Sequence, residues 1–157
     1  MSLVELLPCY RLCRSELKLR RTFRKIVSRN ALAVRNFQRA AESDEFDLEQ
    51  AQTFLNRRTS IRHRLQVPVY LSKVQVSGLR VVPREGSSLL VVTRDLSVHG
   101  VGIVHDEPLT EGRYLAEFDV MDASPVRLLL AVRWSRSIDD WSYRSGLEVQ
   151  GLLREPL

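Results

Sequence analysis

RRTSIRHRLQVPVYLSKVQV, residues 57–76, is the stretch that decides the fold of this 157-residue chain. Before it, apolar residues recur at steps of three and four, which is the spacing of one face of a helix. After residue 64 they alternate with polar residues, which is the spacing of a β-strand. We therefore predict a helical extension over residues 1–56 and a β domain over residues 57–157.

The N-terminal extension is predicted to contain two helices. Neither Pro nor Gly interrupts residues 10–56, so we expect one amphipathic helix over residues 13–41 and a second that begins near Asp44 or Asp47. The apolar stripe of the long helix either packs on the chain's own β domain or pairs with a second copy in a homo-oligomer, and the pattern leaves both alternatives open. The stripe consists of Leu19, Phe23, Ile26, Asn30, Ala33, Phe37 and Ala40.

The C-terminal part is predicted to be an antiparallel β domain. It contains six or seven short strand candidates separated by Gly, Pro, Asp or Ser, and no helical pattern lies between them. Such strands bury their apolar faces most easily by closing into a small barrel, which also removes exposed sheet edges. The predicted fold class is α+β and mainly β, with a helical arm that precedes a barrel.

Composition and charge narrow the classes of function. The formal net charge is +5 and 44% of the residues are hydrophobic, which is typical of a globular protein with an anionic partner such as a nucleic acid or a phosphate ligand. No apolar run is long enough for a membrane helix and no signal-peptide pattern is present, so we expect no membrane association and a cytoplasmic location. Cys9 and Cys13 have no further Cys or His nearby that could complete a zinc site. We therefore expect no metal and no cofactor.

The arginine-rich junction is the first candidate site. Residues 57–64 hold four arginines and one histidine. Guanidinium groups present planar forks of N–H donors, which match phosphate oxygens and the O6 and N7 edge of guanine. On a short flexible segment several such groups can surround a compact anion. The alternative is solvated charge at a domain boundary, which is the usual role of a basic run.

The second candidate site is RDLSVHG, residues 94–100, at the end of a strand candidate. Alternation is predicted to place Asp95, Ser97 and His99 on one face of the strand. Side chains at alternate positions lie about 7 Å apart, which is too far for the hydrogen-bond relay of a hydrolase. As a binding surface the residues fit better, because an ionised Asp accepts from the N1–H and N2–H₂ edge of guanine and a Ser hydroxyl donates to phosphate. Gly100 would supply a tight turn or permit a close backbone approach.

Together the two candidate sites resemble the motifs of the PilZ domain family. An Arg-x-x-x-Arg element is formed by Arg58 and Arg62, and an Asp-x-Ser-x-x-Gly element by Asp95, Ser97 and Gly100. The turn in EPLTEGRYLAEFDV and the hairpin in AVRWSRS and YRSGLEVQGL are also similar to those of the family. The resemblance covers residues 57 to about 153.

The resemblance implies a six-stranded antiparallel barrel that binds the bacterial second messenger cyclic di-GMP and signals to a downstream protein. The arginines would grip phosphates and guanine edges, and the Asp and Ser would hold a guanine. Arg64 offers a competing register for the second arginine, and Trp134 either stacks on a guanine or packs on the barrel. Closure of the junction on the ligand would reorient the helical arm. The implied ligand-binding residues are Arg57, Arg58, Arg62, Asp95, Ser97 and Gly100.

Two other functions compete with this receptor. The basic helix could contact the phosphates of a nucleic acid, which we rank second because the helix lacks aromatic residues outside its apolar face. Alternatively, a PilZ-like barrel without a ligand serves only for protein contacts and self-association. We expect no enzyme, since no nucleophile with its base, acid–base pair, metal cluster or phosphate loop stands out.

Overall fold

The computed structural model of the chain describes residues 8–29, 62–120 and 124–156. Arg57, Arg58 and the second predicted helix lie outside these ranges, as does the predicted boundary between residues 56 and 57. The described residues form nine strands and one helix: β1 (Tyr10–Cys13), α1 (Glu16–Arg29), β2 (His63–Arg64), β3 (Pro68–Ser77), β4 (Arg80–Pro83), β5 (Leu89–Leu96), β6 (Gly100–His105), β7 (Arg113–Phe118), β8 (Val126–Ser137) and β9 (Tyr143–Arg154).

The strands form one antiparallel sheet. Their order is β1-β4-β3-β7-β8-β9-β6-β5-β2. Two further pairings connect strands that are not neighbours in this order. β1 pairs with β9, and β3 pairs with β5 from Pro68 opposite Val92 to Leu71 opposite Leu89. The prediction of a mainly β, antiparallel fold is confirmed.

The apolar core covers both faces of the central strands β7, β8 and β9. Leu128 and Leu130 point to one face and belong to a large buried cluster. Leu129, between them, points to the other face and belongs to a smaller cluster with Leu115 and Leu153. The continuous apolar run at the start of β8 is therefore that of a strand buried on both sides.

The first described residues form a strand and not a helix. Tyr10 and Leu12 are buried in the smaller cluster, with the exposed Arg11 between them. These residues alternate with the period of a strand, and β1 pairs with both β4 and β9. The predicted helix over residues 13–41 is thus wrong at its start, and the extension over residues 1–56 is not wholly helical.

The helix α1 packs on the sheet of its own chain. Ile26 is 1% exposed within the large cluster, and Leu19 and Phe23 pack against that cluster. These three residues belong to the apolar stripe predicted from the sequence. In α1, these three residues of the stripe therefore contact the chain's own core. Among the described residues, no helix has the length and apolar character needed to cross a membrane.

A carboxylate organises the turn between β8 and β9. Asp139 Oδ1 accepts hydrogen bonds from the amides of Trp141 and Ser142, both at 2.8 Å, and from the Ser142 hydroxyl at 2.9 Å. These hydrogen bonds, foremost the one from the Trp141 amide, lower the pKa of Asp139 because they stabilise its ionised form. The turn therefore depends on a charged Asp139.

We expect Asp139→Ala to lower the melting temperature at neutral pH, because the turn loses the acceptor of three hydrogen bonds. The folded-state pKa of Asp139 is lowered, so its contribution is present above the ordinary pKa of an aspartate and disappears as the pH falls through the folded-state value. Thermal unfolding from neutral to acidic pH should show the difference from wild type shrinking in acid. Asp140→Ala, at the neighbouring exposed carboxylate, is the control. A difference that stays constant with pH contradicts the expectation.

Candidate ligand-binding site

The segment after the arginine junction is held against β5 by a buried hydroxyl. Thr93, 1% exposed, donates a hydrogen bond to the carbonyl oxygen of Leu65 and accepts one from the amide of Val67 at 2.9 Å. The Thr93 amide also donates to the Val67 carbonyl oxygen at 2.9 Å. Just before this point, β2 pairs with the end of β5. The position of Arg62, which precedes β2, is therefore set by β5.

Arg62 and Asp95 form an ion pair on the outside of the sheet. Nη1 of Arg62 lies 2.8 Å from Oδ1 of Asp95, although 33 residues separate them in the sequence. Their side chains are 36% and 23% exposed, so both can reach a ligand. Arg64 lies opposite Asp95 in the backbone register, but the guanidinium that contacts the carboxylate is that of Arg62. This contact favours Arg62 over Arg64 as the motif arginine.

A strand glycine allows the Asp95 side chain to lie across β6. Gly102 is directly opposite Asp95 in the register. A Cβ atom at Gly102 would stand 2.9 Å from both carboxylate oxygens of Asp95, which is closer than such atoms approach without a shift. Gly102 was not predicted as a site residue. Its signal in the sequence is a glycine within a strand, which often marks the close approach of another group.

Ser97 and Gly100 form a tight turn between β5 and β6. The Ser97 hydroxyl accepts a hydrogen bond from the Gly100 amide at 3.0 Å. The Gly100 carbonyl oxygen accepts a hydrogen bond from the Ser97 amide at 2.8 Å and lies 3.2 Å from the Ser97 hydroxyl. Ser97 is 2% exposed. Because β5 ends at Leu96, Asp95, Ser97 and His99 do not share a strand face, and that prediction is wrong. Ser97 shapes the turn beside the ion pair.

Gly100 leaves room for the Arg62 side chain. A Cβ atom there would lie 3.2 Å from Nη2 of Arg62 and 3.4 Å from the carbonyl oxygen of Leu147. Gly100 does not adopt a positive φ angle, so its role is not backbone conformation. Gly100 takes part in the tight turn, which is one of the two roles predicted for it, and it also allows the close approach of the Arg62 side chain.

An aromatic ring lies on the same outer face as Asp95. In the register Asp95 is opposite Gly102, Gly102 is opposite Gly146, and Gly146 is opposite Trp134. The Trp134 indole occupies the space that a side chain at Gly146 would fill, and it is 44% exposed. The guanidinium carbon of Arg136 lies 5.2 Å from the centre of the ring. Gly102 and Gly146 thus form a glycine floor on adjacent strands, over which the Asp95 carboxylate and the Trp134 indole lie. The Cα atoms of Asp95 and Trp134 are about 14 Å apart.

Helix α1 contacts both segments that carry the site. The ring of Phe23 lies 5.4 Å from that of His63, next to Arg62. Glu16 Oε1 lies 3.7 Å from Nε2 of His99 in the turn. A hydrogen bond from Arg20 and its positive charge lower the pKa of Glu16, so Glu16 carries its charge at neutral pH. The helix is therefore linked to the β2 segment and to the 97–99 turn.

Four of the six predicted site residues come together in the structure. They are Arg62, Asp95, Ser97 and Gly100, whereas Arg57 and Arg58 lie outside the described residues. The described ranges contain no group of three His, Cys, Asp or Glu residues that could hold a metal ion. The cluster offers a donor fork, a carboxylate acceptor and a flat ring, which suits recognition of a base or phosphate.

Compared with models of known protein families and with curated proteins, the sequence matches none. The resemblance to PilZ domains therefore rests on the motif residues and their positions relative to one another.

We expect Thr93→Val to destabilise the fold by about 1–3 kcal/mol, because the Leu65 carbonyl oxygen and the Val67 amide lose a buried partner. Thr93→Ser keeps the hydroxyl and is the matched control. Urea unfolding of the two variants measures the difference in the free energy of unfolding. Valine keeps the methyl group of threonine and lacks only the hydroxyl, so a Thr93→Val variant that is as stable as the wild type would contradict the role of the hydroxyl.

Proposed function

We propose that the chain is a non-catalytic receptor for cyclic di-GMP that uses its PilZ-like motifs. The observation that carries the proposal is the cluster in which the Arg62 guanidinium meets the Asp95 carboxylate above the Ser97–Gly100 turn. These residues come from two distant parts of the sequence, and the resemblance to the PilZ family predicts that both parts bind this ligand. The proposal extends the site to Arg57 and Arg58.

The chemistry of the cluster suits a guanine that carries a phosphate. The Asp95 carboxylate can accept hydrogen bonds from the N1–H and N2–H₂ groups of guanine, an edge that adenine does not present. The Arg62 guanidinium can donate two parallel hydrogen bonds to the O6 and N7 atoms of guanine or to phosphate oxygens. One carboxylate and one guanidinium therefore provide both base selectivity and charge complementarity.

The existing ion pair makes binding an exchange of partners. Without a ligand, Arg62 and Asp95 satisfy each other at 2.8 Å. Both groups are partly exposed, and ion pairs of this kind contribute only about 0–1 kcal/mol. A ligand that supplies donors to Asp95 and an acceptor to Arg62 can replace the pair at small cost. The same pair holds the two side chains near each other before the ligand arrives.

Trp134 extends the proposed site across the glycine floor. Its exposed indole offers a surface on which a second base could stack. Arg136 covers part of the ring and lies opposite Arg144 on β9. Like charges in directly opposite positions repel, and a phosphate bound between them would remove that repulsion. The ligand would thus contact charge at both ends of the floor.

The proposal includes the six-stranded barrel of the PilZ family. Its support lies in the strand pairings, which lead from β3 through β7, β8, β9, β6 and β5 to β3 again. β1, β2 and β4 are additional to these six strands. In this arrangement the proposed ligand would lie on the outer face of β5, β6, β9 and β8.

Helix α1 is the element through which we propose that binding is communicated to a downstream protein. Its Phe23 touches His63, one residue after Arg62, and its Glu16 reaches His99 in the turn. A ligand that draws the arginine junction onto β5 would shift His63 and so disturb the packing of α1. This is a switch in which ordering of one segment moves its neighbour.

Two functions of other classes remain as alternatives. Exposed cations on α1, among them Arg21, Arg24 and Lys25, favour a nucleic-acid module, and such binding weakens steeply with salt. The second is a barrel that binds no ligand and only contacts proteins. Titration with a short DNA duplex at two salt concentrations tests the first. Absence of any heat with cyclic di-GMP would favour the second.

The test of the proposal is calorimetric titration of the full chain with cyclic di-GMP. We expect Arg62→Ala and Asp95→Ala each to weaken binding by about ten-fold or more, since a charge-assisted hydrogen bond contributes roughly 1.5–3 kcal/mol. The melting temperature of the unliganded variants should stay close to that of the wild type. Arg113→Ala, at an exposed arginine on β7, is the control. Unchanged affinity in either site variant removes that residue from the site.

Gly102→Ala tests whether the position of the Asp95 carboxylate matters for binding. The added Cβ would stand 2.9 Å from both carboxylate oxygens, so Asp95 must turn away from Arg62. We expect weaker binding of cyclic di-GMP, and no further weakening when Gly102→Ala is added to Asp95→Ala. Additive losses in the double variant would mean that Gly102 acts independently of Asp95.

A further inference from the structure

Three arginines from distant parts of the sequence stand side by side on the sheet. Arg11 on β1 lies directly opposite Arg80 on β4 and directly opposite Arg154 on β9. All three are exposed, and the buried residue next to each belongs to the smaller cluster, so the three side chains share the face of the sheet opposite to that cluster. We name this set the arginine row. With neighbouring strands about 4.8 Å apart, it spans about 10 Å.

The arginine row is unfavourable for the protein alone. Like charges in directly opposite positions of an antiparallel pair are destabilising, and Arg11 faces two such neighbours. Within the described ranges, no carboxylate forms an ion pair with any of the three. Arg80 Nε donates instead to Sγ of Cys9 at 3.1 Å, and Glu155 pairs with Arg127 at 3.5 Å. The positive charge is left uncompensated.

The arginine row borders concave surfaces. On one side of Arg11, a cleft of about 580 Å³ is lined by the cations Arg11, Lys18 and Arg154, by Glu155, and by apolar residues that include Leu12 and Leu79. On the other side, a second cleft of about 410 Å³ includes Arg80 and is also lined by Arg11. Volumes of this order are typical of small-molecule sites. Lys18 of α1 joins Arg11 and Arg154 as the third cation of the first cleft.

We propose that the arginine row, together with Lys18, binds a compact ligand that carries phosphate groups. Guanidinium groups match phosphate oxygens with two parallel hydrogen bonds each. Several cations within about 10 Å call for several negative charges at close spacing, which an oligophosphate supplies. A concave cleft with apolar walls suits a compact group better than an extended chain. The ligand would offset the repulsion that the row imposes on the folded protein.

This site is separate from the proposed cyclic di-GMP site. β9 links the two, since Glu148 lies opposite Gly100 and Arg154 lies opposite Arg11. Arg154 lies six positions after Glu148 along β9, which corresponds to about 20 Å. Occupation of one site therefore does not block the other. The arginine row can bind phosphate whether or not the chain binds cyclic di-GMP.

The test uses tripolyphosphate as the probe, titrated calorimetrically into the full chain at constant ionic strength. We expect saturable binding that Arg11→Gln weakens by about ten-fold or more. Arg113→Gln, at an exposed arginine outside the row, should retain the wild-type affinity. Tripolyphosphate should raise the melting temperature of the wild type and not that of Arg11→Gln. Arg154→Gln, on the neighbouring strand β9, should weaken tripolyphosphate binding in the same way.

Further binding experiments identify the source of the phosphate and can overturn the proposed site. Vesicles containing phosphatidic acid that bind the wild type but not Arg11→Gln would assign the phosphate to a lipid headgroup. Binding that is equal in wild type and Arg11→Gln would overturn the proposal, as would citrate binding as tightly as tripolyphosphate. Cyclic di-GMP titrated into Arg11→Gln should show the wild-type result. If Asp95→Ala loses cyclic di-GMP binding and still binds tripolyphosphate like the wild type, the two ligands bind at different sites.

Discussion

The central strands β7, β8 and β9 carry apolar side chains on both faces, and much of the structure depends on covering them. Leu129 and Leu153 point away from the large cluster and are covered by Tyr10 and Leu12 of β1, together with Val81 of β4. Exposed to water, these side chains would cost the folded state a large part of its stability. The N-terminal residues must therefore return to the sheet.

This return of the chain brings together the residues of both proposed sites. After β1, the helix α1 crosses to the large cluster, where Ile26 is buried. Its Phe23 and Glu16 come next to His63 and His99. β1 itself inserts Arg11 between strands that already carry arginines. A requirement of packing thus brings the helix to one site and the central cation to the other.

Two glycines shape the outer face of the sheet, because they have no side chains. Gly102 and Gly146 leave the backbone uncovered on adjacent strands, and Asp95 and Trp134 lie over them. A glycine within a strand weakens it, since it loses more conformational entropy and has no side chain to pack. In return, the two glycines allow a carboxylate and an indole to lie in defined positions, which would reduce the ordering needed when the proposed ligand binds.

Local periodicity was sufficient to predict the antiparallel strands after residue 64 and the apolar face of α1, and motif spacing singled out Arg62 and Asp95. β1 was missed because four alternating residues beside a helical pattern carry too little signal, and Gly102 because a strand glycine does not reveal which side chain crosses it. The sequence by itself determined the periods and the motif. Only the tertiary structure decided that Arg62 contacts Asp95 and that Arg11 stands between two arginines, because strand order and register join residues that local pattern does not relate.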